Sequence, residues 1–432
     1  MKKMKTRSMS VLLIVLAVLF GMGVYIMRYI DRGGSWAMYF SSANSESTAH
    51  LLDRNGVELA GFTDGEYSFT EDELARLSMY HVTGDRWGRT GAGVLTGFVD
   101  ELQGFSLVTG TTKAQHRSLT LSLDTELNKR AYELMDGRSG AVMLCDYTSG
   151  ELLCYLSTPG IDPIAEIEEP PEGAYINRCI SAAFTPGSVF KLITAAAAIE
   201  NLPNLYDMEF YCEGVYTIAG VDIICAGMHY TQNFEQALSN SCNCAFARLA
   251  VMLGQDTMIE YVEKFGLLSS HSLDGMSTAA GSYPLDFVGD PELGWSGIGQ
   301  STDLACPYSM LRLVSAIGNG GVVCEPSLLL DGDAPAQSRM MDTETAKQLK
   351  ALMNYAAVTH YESENNFPGL NICAKTGTAE LGDGTSHSWF VGFLDDAEHP
   401  YAFVVLIERG GGGLSNAGVL ANELLQKAVA QE

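Results

Sequence analysis

The sequence predicts an α+β fold in which one antiparallel sheet is sandwiched by helices. Apolar runs typical of strands occur both early and late in one region, near residues 140–147, 151–157, 386–393 and 401–408. Helical patterns fill the interval between them, near residues 191–199, 234–253, 257–265, 304–317 and 343–358, and another closes the chain near 416–430. Because the early and late strands need partners to bury their apolar faces, we expect a single sheet assembled from both ends of the region.

An apolar segment near the N-terminus predicts a membrane anchor. Four basic residues precede an uncharged stretch from Ser8 to Met27: Lys2, Lys3, Lys5 and Arg7. The stretch is long enough to span a bilayer as a helix. The basic flank predicts a cytoplasmic N-terminus, with the remainder on the extracytoplasmic side of the cell membrane. The alternative is a cleaved signal peptide, but we find no small-residue cleavage site and expect a retained single-pass anchor.

The rest of the chain divides into a small module and a large one. We expect a cytoplasmic tail and anchor at 1–34, a membrane-proximal module at 35–117 and a catalytic domain at 118–432. Within the small module, residues 51–60 have the pattern of two strands joined by the Asn55-Gly56 turn. About 80 residues are too few for a glycosyltransferase domain, so we expect this module to be non-catalytic.

Composition excludes several classes of partner and ligand. The 432 residues carry a formal net charge of −26, which argues against nucleic acid, because phosphate binding needs a basic surface. None of the ten cysteines forms a Cys-x-x-Cys pair or a cluster with zinc-ligand spacing, so we expect no metal site and no cofactor. Most of the cysteines lie in apolar stretches of the sequence, which predicts that they pack as small core residues. A local disulfide between Cys212 and Cys225 is an option that we disfavour.

The strongest chemical signal is Ser188 followed by Lys191. Thr185-Pro186-Gly187 precedes an apolar helical run, so Ser188 is expected in its first turn and Lys191 one turn on, on the same face. A neutral amine held there can take the proton of a serine hydroxyl and activate it as a nucleophile. Eight uncharged residues follow Lys191, and burial among them would lower the pKa of the lysine toward that role.

Two further motifs follow in order, Ser241-Cys242-Asn243 and Lys375-Thr376-Gly377-Thr378. Together with Ser188-x-x-Lys191, they resemble the motifs of penicillin-binding protein transpeptidases and their serine β-lactamase relatives. Flanking stretches agree with this resemblance: Asn177-Arg178, Gly299-Gln300 and residues 388–393. The sequence of residues 51–60 also resembles the start of the membrane-proximal module in class B (monofunctional) penicillin-binding proteins. The resemblance covers residues 119–430 strongly and 51–118 weakly.

The resemblance implies a role for each matching residue. Ser188 is implied as the nucleophile, Lys191 as its base, Ser241 as the proton relay to the leaving amine, and Asn243 as the residue that holds Lys191 and the substrate amide. Residues 375–378 are implied to bind the substrate from an edge strand: Lys375, Thr376, Gly377 and Thr378. In this view Gly377 leaves room for a substrate backbone, and the backbone N–H groups of Ser188 and Thr378 form an oxyanion hole.

The implied activity is that of a serine-type D-Ala-D-Ala transpeptidase. It would cross-link peptidoglycan stem peptides through an acyl-serine, and β-lactams would acylate the same serine. A SEDS-type glycan polymerase is an implied partner. The alternatives are a D,D-carboxypeptidase, a β-lactamase or β-lactam sensor, and an inactive cell-wall scaffold. The intact motifs favour an active enzyme over a scaffold.

Overall fold

The computed structural model describes residues 9, 11–27, 48–63, 66–85, 87–90, 93–97, 105–106, 111–112, 116–284, 289–330, 332 and 334–431. Residues 11–27 form an exposed helix, α1. In this described part of the chain no helix is both long enough and apolar enough to cross a bilayer. The expected anchor includes Ser8 and Ser10, which lie outside the described residues, and it stays a prediction. The expected module boundary at residue 34 also lies outside them.

The first sheet has four strands in the order β3-β2-β1-β6. Their bounds are Thr48–Leu52 for β1, Glu58–Thr63 for β2, Glu66–Phe69 for β3 and His116–Thr120 for β6. The predicted hairpin at 51–60 is confirmed as β1 and β2, and its turn is closed by Asp53, whose Oδ1 accepts hydrogen bonds from the N–H groups of Asn55 and Val57. The described residues of the intervening segment include helices α2 Glu73–Thr83 and α3 Val94–Gly97, and the paired strands β4 Phe105–Ser106 and β5 Thr111–Thr112.

The second sheet is the predicted antiparallel sheet, with strand order β17-β18-β19-β7-β8. Its strands are β7 Gly140–Asp146, β8 Leu152–Thr158, β17 Ile372–Glu380, β18 Ser386–Leu394 and β19 Tyr401–Ile407. The early hairpin joins the late strands through pairing of β7 with β19. Assembly from both ends is therefore confirmed, and β17 lies at one edge.

Helices cover both faces of this sheet. Their bounds are α4 Thr125–Met135, α5 Lys191–Asn201, α6 Phe234–Ser239, α7 Asn243–Leu253, α8 Gln255–Lys264, α9 Asp290–Ser296, α10 Pro307–Gly318, α11 Thr343–Thr359, α12 Ser363–Asn366 and α13 Val419–Ala430. On β7, Val142 and Leu144 face a buried cluster that includes side chains of α4 and α13. Ala141 and Met143 alternate with them and face a second cluster that includes α5 and α10.

The helical pattern over 234–253 is interrupted in the structure. Helix α6 ends at Ser239 and α7 begins at Asn243, with Ser241 in the left-handed region at φ 52°. The apolar period continues through this break, so the pattern alone predicts one helix where there are two. The turn at 240–242 instead places Ser241 in contact with residues that are distant in sequence, which are described below.

Short strands form small two-stranded ribbons around the helical layer. These are β9 Phe210–Cys212, β10 Val215–Ile218, β11 Val221–Ile224, β12 Tyr230–Gln232, β13 Ser272–Leu273, β14 Met276–Ser277, β15 Val322–Cys324 and β16 Gln337–Arg339. Strand β9 pairs with β12, and β10 pairs with β11 between them. This double ribbon stands beside the turn that carries Ser241.

Candidate active site

Ser188 and Lys191 are brought together by a short 3₁₀ turn. The turn covers Gly187–Phe190 and leads directly into α5. Residues three apart are eclipsed in a 3₁₀ helix, and Lys191 Nζ lies 3.0 Å from Ser188 Oγ. The sequence predicts Ser188 in the first turn of an α-helix, whereas this turn has the tighter 3₁₀ geometry. The predicted proximity of the two side chains is confirmed.

Gly187 fixes the position of this turn. Its φ of 55° is in the left-handed region, and its N–H donates to the carbonyl of Gly299 over 2.9 Å. A β-carbon at Gly187 would lie 3.0 Å from the carbonyl oxygen of Thr378 on β17. Only glycine combines this backbone conformation with so close an approach. The nucleophile turn is thereby held against the edge strand of the sheet.

Lys191 is fully buried and surrounded by polar atoms. Its Nζ donates to the carbonyl of Ser241 at 2.6 Å and to Asn243 Oδ1 at 2.7 Å. Burial disfavours the charged form and lowers the pKa of Lys191 to about 8. A substantial fraction is therefore neutral in mildly alkaline solution, and this fraction can accept the Ser188 proton.

Ser241 connects two buried lysines. Its Oγ lies 3.2 Å from Lys191 Nζ and accepts a hydrogen bond of 2.9 Å from Lys375 Nζ. The side chain of Asn243 is held in place by a hydrogen bond of 2.8 Å that its Nδ2 donates to the carbonyl of Ile224. The hydroxyl of Ser241 thus lies where a proton can pass between the two amines.

Lys375 is fully buried on the edge strand β17. Burial and the nearby charge of Lys191 hold its pKa well below the ordinary value. Its Nζ also donates to the carbonyl of Thr376 over 2.9 Å. The prediction that the Lys-Thr-Gly segment occupies an edge strand is confirmed.

Thr376 and Thr378 face the cleft from this strand. The Oγ1 of Thr376 lies 3.2 Å from the hydroxyl of the buried Tyr361, and Thr378 Oγ1 accepts a long hydrogen bond of 3.4 Å from the N–H of Gly413. Tyr361 was not expected from the sequence, because it belongs to none of the three motifs and reaches them only through the fold.

Gly377 packs closely against the turn that carries the nucleophile. A β-carbon at this position would lie 3.0 Å from Pro186 O, from the Trp389 β-carbon and from Val189 Cγ1. The space left by the missing side chain is therefore filled by the nucleophile turn of the protein itself. The missing side chain thus allows close packing of β17 against that turn, and the expectation that Gly377 also admits a substrate backbone stays a prediction.

These residues line an open cleft of about 620 Å³. Five of the eight predicted site residues form part of its lining: Ser188, Ser241, Asn243, Thr376 and Thr378. Lys191 and Lys375 lie directly beneath and contact the lining residues. Further lining side chains that the motifs do not indicate are His229, Trp295, Gln300, His360 and Glu380.

Beside the cleft, the fold brings together cysteines that have no zinc-ligand spacing in the sequence. The thiols of Cys212, Cys225 and Cys242 and a ring nitrogen of His229 all lie within 4.8 Å of one another. All ten cysteines are free, so the disfavoured disulfide between Cys212 and Cys225 is not formed. The sequence spacing does not indicate this cluster, because the double ribbon β9–β12 brings its members together.

Comparisons with known proteins agree with the predicted fold and family. Residues 140–427 match the penicillin-binding protein transpeptidase domain family. Stage V sporulation protein D of Bacillus subtilis is 28% identical over 296 residues, which are 63% of this chain and 46% of that protein. The peptidoglycan D,D-transpeptidase PbpA of Mycolicibacterium smegmatis is 25% identical over 313 residues, which are 65% of this chain and 64% of that protein. The chain thus spans about half to two thirds of these relatives.

Solved structures share the same fold. A ceftriaxone acyl-enzyme complex of penicillin-binding protein A from Mycobacterium tuberculosis superposes with a TM-score of 0.74 at 22% identity, covering 89% of this chain and 98% of that one. The D,D-transpeptidase domain of a peptidoglycan glycosyltransferase from Eggerthella lenta gives 0.76 at 23% identity, covering 89% and 99%. At these identities the likeness establishes the α+β transpeptidase-like fold that the sequence predicts.

Proposed function

This chain belongs to the penicillin-binding protein transpeptidase family, and from that premise we propose that it is a peptidoglycan D,D-transpeptidase with Ser188 as its nucleophile. The observation that carries the proposal is the 3.0 Å approach of Lys191 Nζ to Ser188 Oγ within a buried polar network. The relative from Mycolicibacterium smegmatis is named a peptidoglycan D,D-transpeptidase, which supports the same activity here.

In the proposed acylation step, Ser188 Oγ attacks the carbonyl of the penultimate D-alanine of a stem peptide. Its proton moves to neutral Lys191 as the C–O bond forms. When the peptide C–N bond breaks, the leaving amine of the terminal D-alanine takes a proton through Ser241, which accepts hydrogen bonds from both buried lysines. The products of this step are an acyl-serine and free D-alanine.

In the second step, an amine from a neighbouring stem peptide attacks the acyl-serine. Neutral Lys191 takes a proton from the attacking amine and passes it to Ser188 Oγ as the ester C–O bond breaks, so the products are an amide cross-link and the free serine. β-Lactams imitate the D-alanyl-D-alanine end and acylate the same oxygen. No metal or cofactor is invoked in either step.

Substrate binding is proposed to use the edge of the second sheet. An extended peptide can pair with β17 as an added strand. The negative charge of the bound terminal carboxylate favours the ammonium form of Lys375, and Thr376 and Thr378 supply hydroxyls for the same group. We further assign the backbone N–H groups of Ser188 and Thr378 to the oxyanion hole, because the nucleophile Ser188 and the edge-strand residue Thr378 both line the cleft.

We also propose that the protein is anchored in the cell membrane by one pass near residues 8–27, with an extracytoplasmic catalytic domain. The basic flank and the exposed apolar side chains of α1 support this proposal. A monofunctional transpeptidase needs glycan strands made by another enzyme, so a SEDS-type polymerase is the proposed partner. For comparison, a structure of PBP2 from Helicobacter pylori contains MreC as its partner.

The test is an assay of the full chain with a D-alanyl-D-alanine stem peptide and an amine acceptor, analysed by mass spectrometry. We expect a cross-linked product together with D-alanine, and neither from Ser188→Ala. Release of D-alanine without cross-linked product, at any acceptor concentration, would replace the transpeptidase by a D,D-carboxypeptidase.

A further inference from the structure

A cluster of sulfur and nitrogen atoms lies at the wall of the cleft, where Cys225 and His229 form part of the lining, and its members have no role in the proposed catalytic steps. Its four members are Cys212 at the end of β9, Cys225 after β11, His229 before β12 and Cys242 before α7. The three cysteines are buried and His229 is half-buried. Their ligand atoms all lie within 4.8 Å of one another, although the residues come from three separate turns.

The spacing of these atoms is close to that of a tetrahedral metal site. A zinc ion with Zn–S of about 2.3 Å and Zn–N of about 2.0–2.1 Å requires S···S edges of about 3.8 Å and S···N edges of about 3.6 Å. Cys225 Sγ lies 3.6 Å from His229 Nδ1 and 4.0 Å from Cys242 Sγ. Closure around an ion therefore needs shifts of only a few tenths of an ångström at these edges.

We propose that Cys212, Cys225, His229 and Cys242 bind one zinc ion as a closed, structural site. Three thiolates and one imidazole are a characteristic ligand set for structural zinc and leave no position for a reacting water. Thiols must lose their protons to bind the metal, so binding releases protons and its apparent affinity rises with pH.

The backbone around the cluster is already organised for this role. The N–H of His229 donates to the carbonyl of Cys212 over 3.0 Å, and the N–H of Cys225 donates to Gly214 O over 2.9 Å. The two ligands of the ribbon and His229 are therefore fixed relative to one another without the metal. Cys242 alone comes from the opposite side, from the turn between α6 and α7.

A fifth thiol, Cys244, is not one of the four proposed ligands but contacts one of them. Its Sγ is 3.4 Å from Cys212 Sγ, within hydrogen-bond distance for two sulfur atoms. We assign it as a donor to the Cys212 thiolate, which would offset part of the negative charge of a site with three thiolates and one divalent ion. Such outer partners commonly change metal affinity by about 10- to 100-fold.

The site is directly joined to the turn that carries Ser241. Cys242 stands between Ser241 and Asn243 in the chain, and the N–H of Asn243 donates to Cys225 Sγ over 3.3 Å. Ser241 occupies the left-handed region, a conformation that a serine adopts only when its surroundings impose it. Zinc would tie the ribbon to this turn, so Cys242 acts as a positioning residue for Ser241 and Asn243.

The experiment measures metal content of the full chain, which requires no enzymatic activity and so separates this proposal from the proposed function. We expect about one zinc per chain by elemental mass spectrometry. After chelation, Co²⁺ should restore one equivalent and produce the near-ultraviolet charge-transfer absorption of cobalt thiolates.

Variants of the cluster make the assignment specific. Cys225→Ser and Cys242→Ser should lose the bound equivalent, and Cys244→Ser should weaken zinc binding by about 10- to 100-fold. The matched control is Cys154→Ala, which removes an equally buried thiol from the opposite face of the second sheet and should keep full zinc. Zinc-loaded protein should also acylate with a β-lactam faster than the chelated wild type, whereas Cys242→Ser should not respond to zinc.

Two results would overturn the proposal. One is wild-type protein that neither retains zinc nor gives thiolate charge-transfer absorption with Co²⁺. The other is a disulfide among Cys212, Cys225, Cys242 and Cys244, found by peptide mapping of the native protein without reductant.

Discussion

Lys191 shows how burial prepares a side chain for acid–base chemistry. The fold removes its ammonium from water and surrounds it with oxygen atoms of Ser188, Ser241 and Asn243. Desolvation lowers the pKa to about 8, while the nearby cysteines act in the opposite direction. The balance leaves Lys191 able to exchange a proton near physiological pH, as a general base must.

The pH dependence of acylation follows from this pKa. Since only neutral Lys191 accepts the Ser188 proton, the rate of acylation by a β-lactam should rise with pH through about 8 and level off above it. Below the pKa it should fall about tenfold per pH unit. The measurement is a stopped-flow profile from pH 6 to 10.

Lys191→Ala is the test of that assignment. It should lower the acylation rate by about 10²–10⁴-fold and abolish the rise with pH. The exposed Lys347→Ala is the matched control and should retain the wild-type profile. A wild-type rate that is flat between pH 6 and 9 would contradict the role of Lys191 as base.

The proximity of site residues could be predicted from the sequence where the motif is local. The 3.0 Å pair of Ser188 and Lys191 follows from residues three apart in a helical turn. Tyr361 and the cysteine cluster follow from no local spacing, because long-range packing and the ribbon β9–β12 create their contacts. The lack of zinc-ligand spacing in the sequence therefore gave no sign of this cluster, and the zinc measurement proposed above tests the expectation of no metal site.

At the scale of elements, the close packing of β17 against the nucleophile turn makes a stability prediction. Gly377→Ala places a β-carbon 3.0 Å from Pro186 O, the Trp389 β-carbon and Val189 Cγ1. Overpacking of this kind costs about 1–3 kcal/mol. Because Pro186 adjoins the nucleophile turn, both the melting temperature and the rate of acylation of Ser188 should fall.

Gly227→Ala provides a matched control for the stability measurement. A β-carbon there would meet only His229 Nε2, at 3.9 Å. Its melting temperature should stay near that of the wild type. Equal melting temperatures for Gly377→Ala and the wild type would show that the strand and the turn are not packed as closely as described.

The sheet was predictable and the break in the helical layer was not. Strand runs at both ends of the catalytic region specify a sheet because each has an apolar face to bury. The interruption at 240–242 leaves the apolar period intact, so periodicity predicts a continuous helix. Contacts of Ser241 with Lys191 and Lys375, which are distant in sequence, accompany the turn.

At the scale of the whole molecule, the region of the first sheet and the region of the second sheet share one buried apolar cluster. Leu51 and Phe62 of the first sheet belong to the same cluster as Val189 beside the nucleophile. Arg76 of α2 adds a two-pronged ion pair with Asp162, with both N···O distances at 2.9 Å. The two regions should therefore unfold together.

The ion pair between Arg76 and Asp162 predicts that the contact between the two regions stabilises the protein in a pH-dependent way. Arg76 holds the pKa of Asp162 below its ordinary value, so the stabilisation is complete above the unfolded pKa and is lost as pH falls through the folded one. Asp162→Asn should lower the free energy of unfolding by about 1.5–3 kcal/mol at pH 7. The difference from the wild type should shrink toward pH 3.

Asp222→Asn, in an exposed ribbon, is the control for this measurement and should change stability little at either pH. Urea unfolding at pH 7 and pH 3 gives both values. A difference between Asp162→Asn and the wild type that grows as pH falls would contradict the described ion pair.

The central claim is that Ser188 becomes acylated, and intact mass spectrometry of the full chain with a penicillin tests it most directly. The account predicts one stable adduct, mapped to the peptide containing Ser188, and no adduct on Ser188→Ala. Absence of an adduct on the wild type, or an equal adduct on Ser188→Ala, would contradict it.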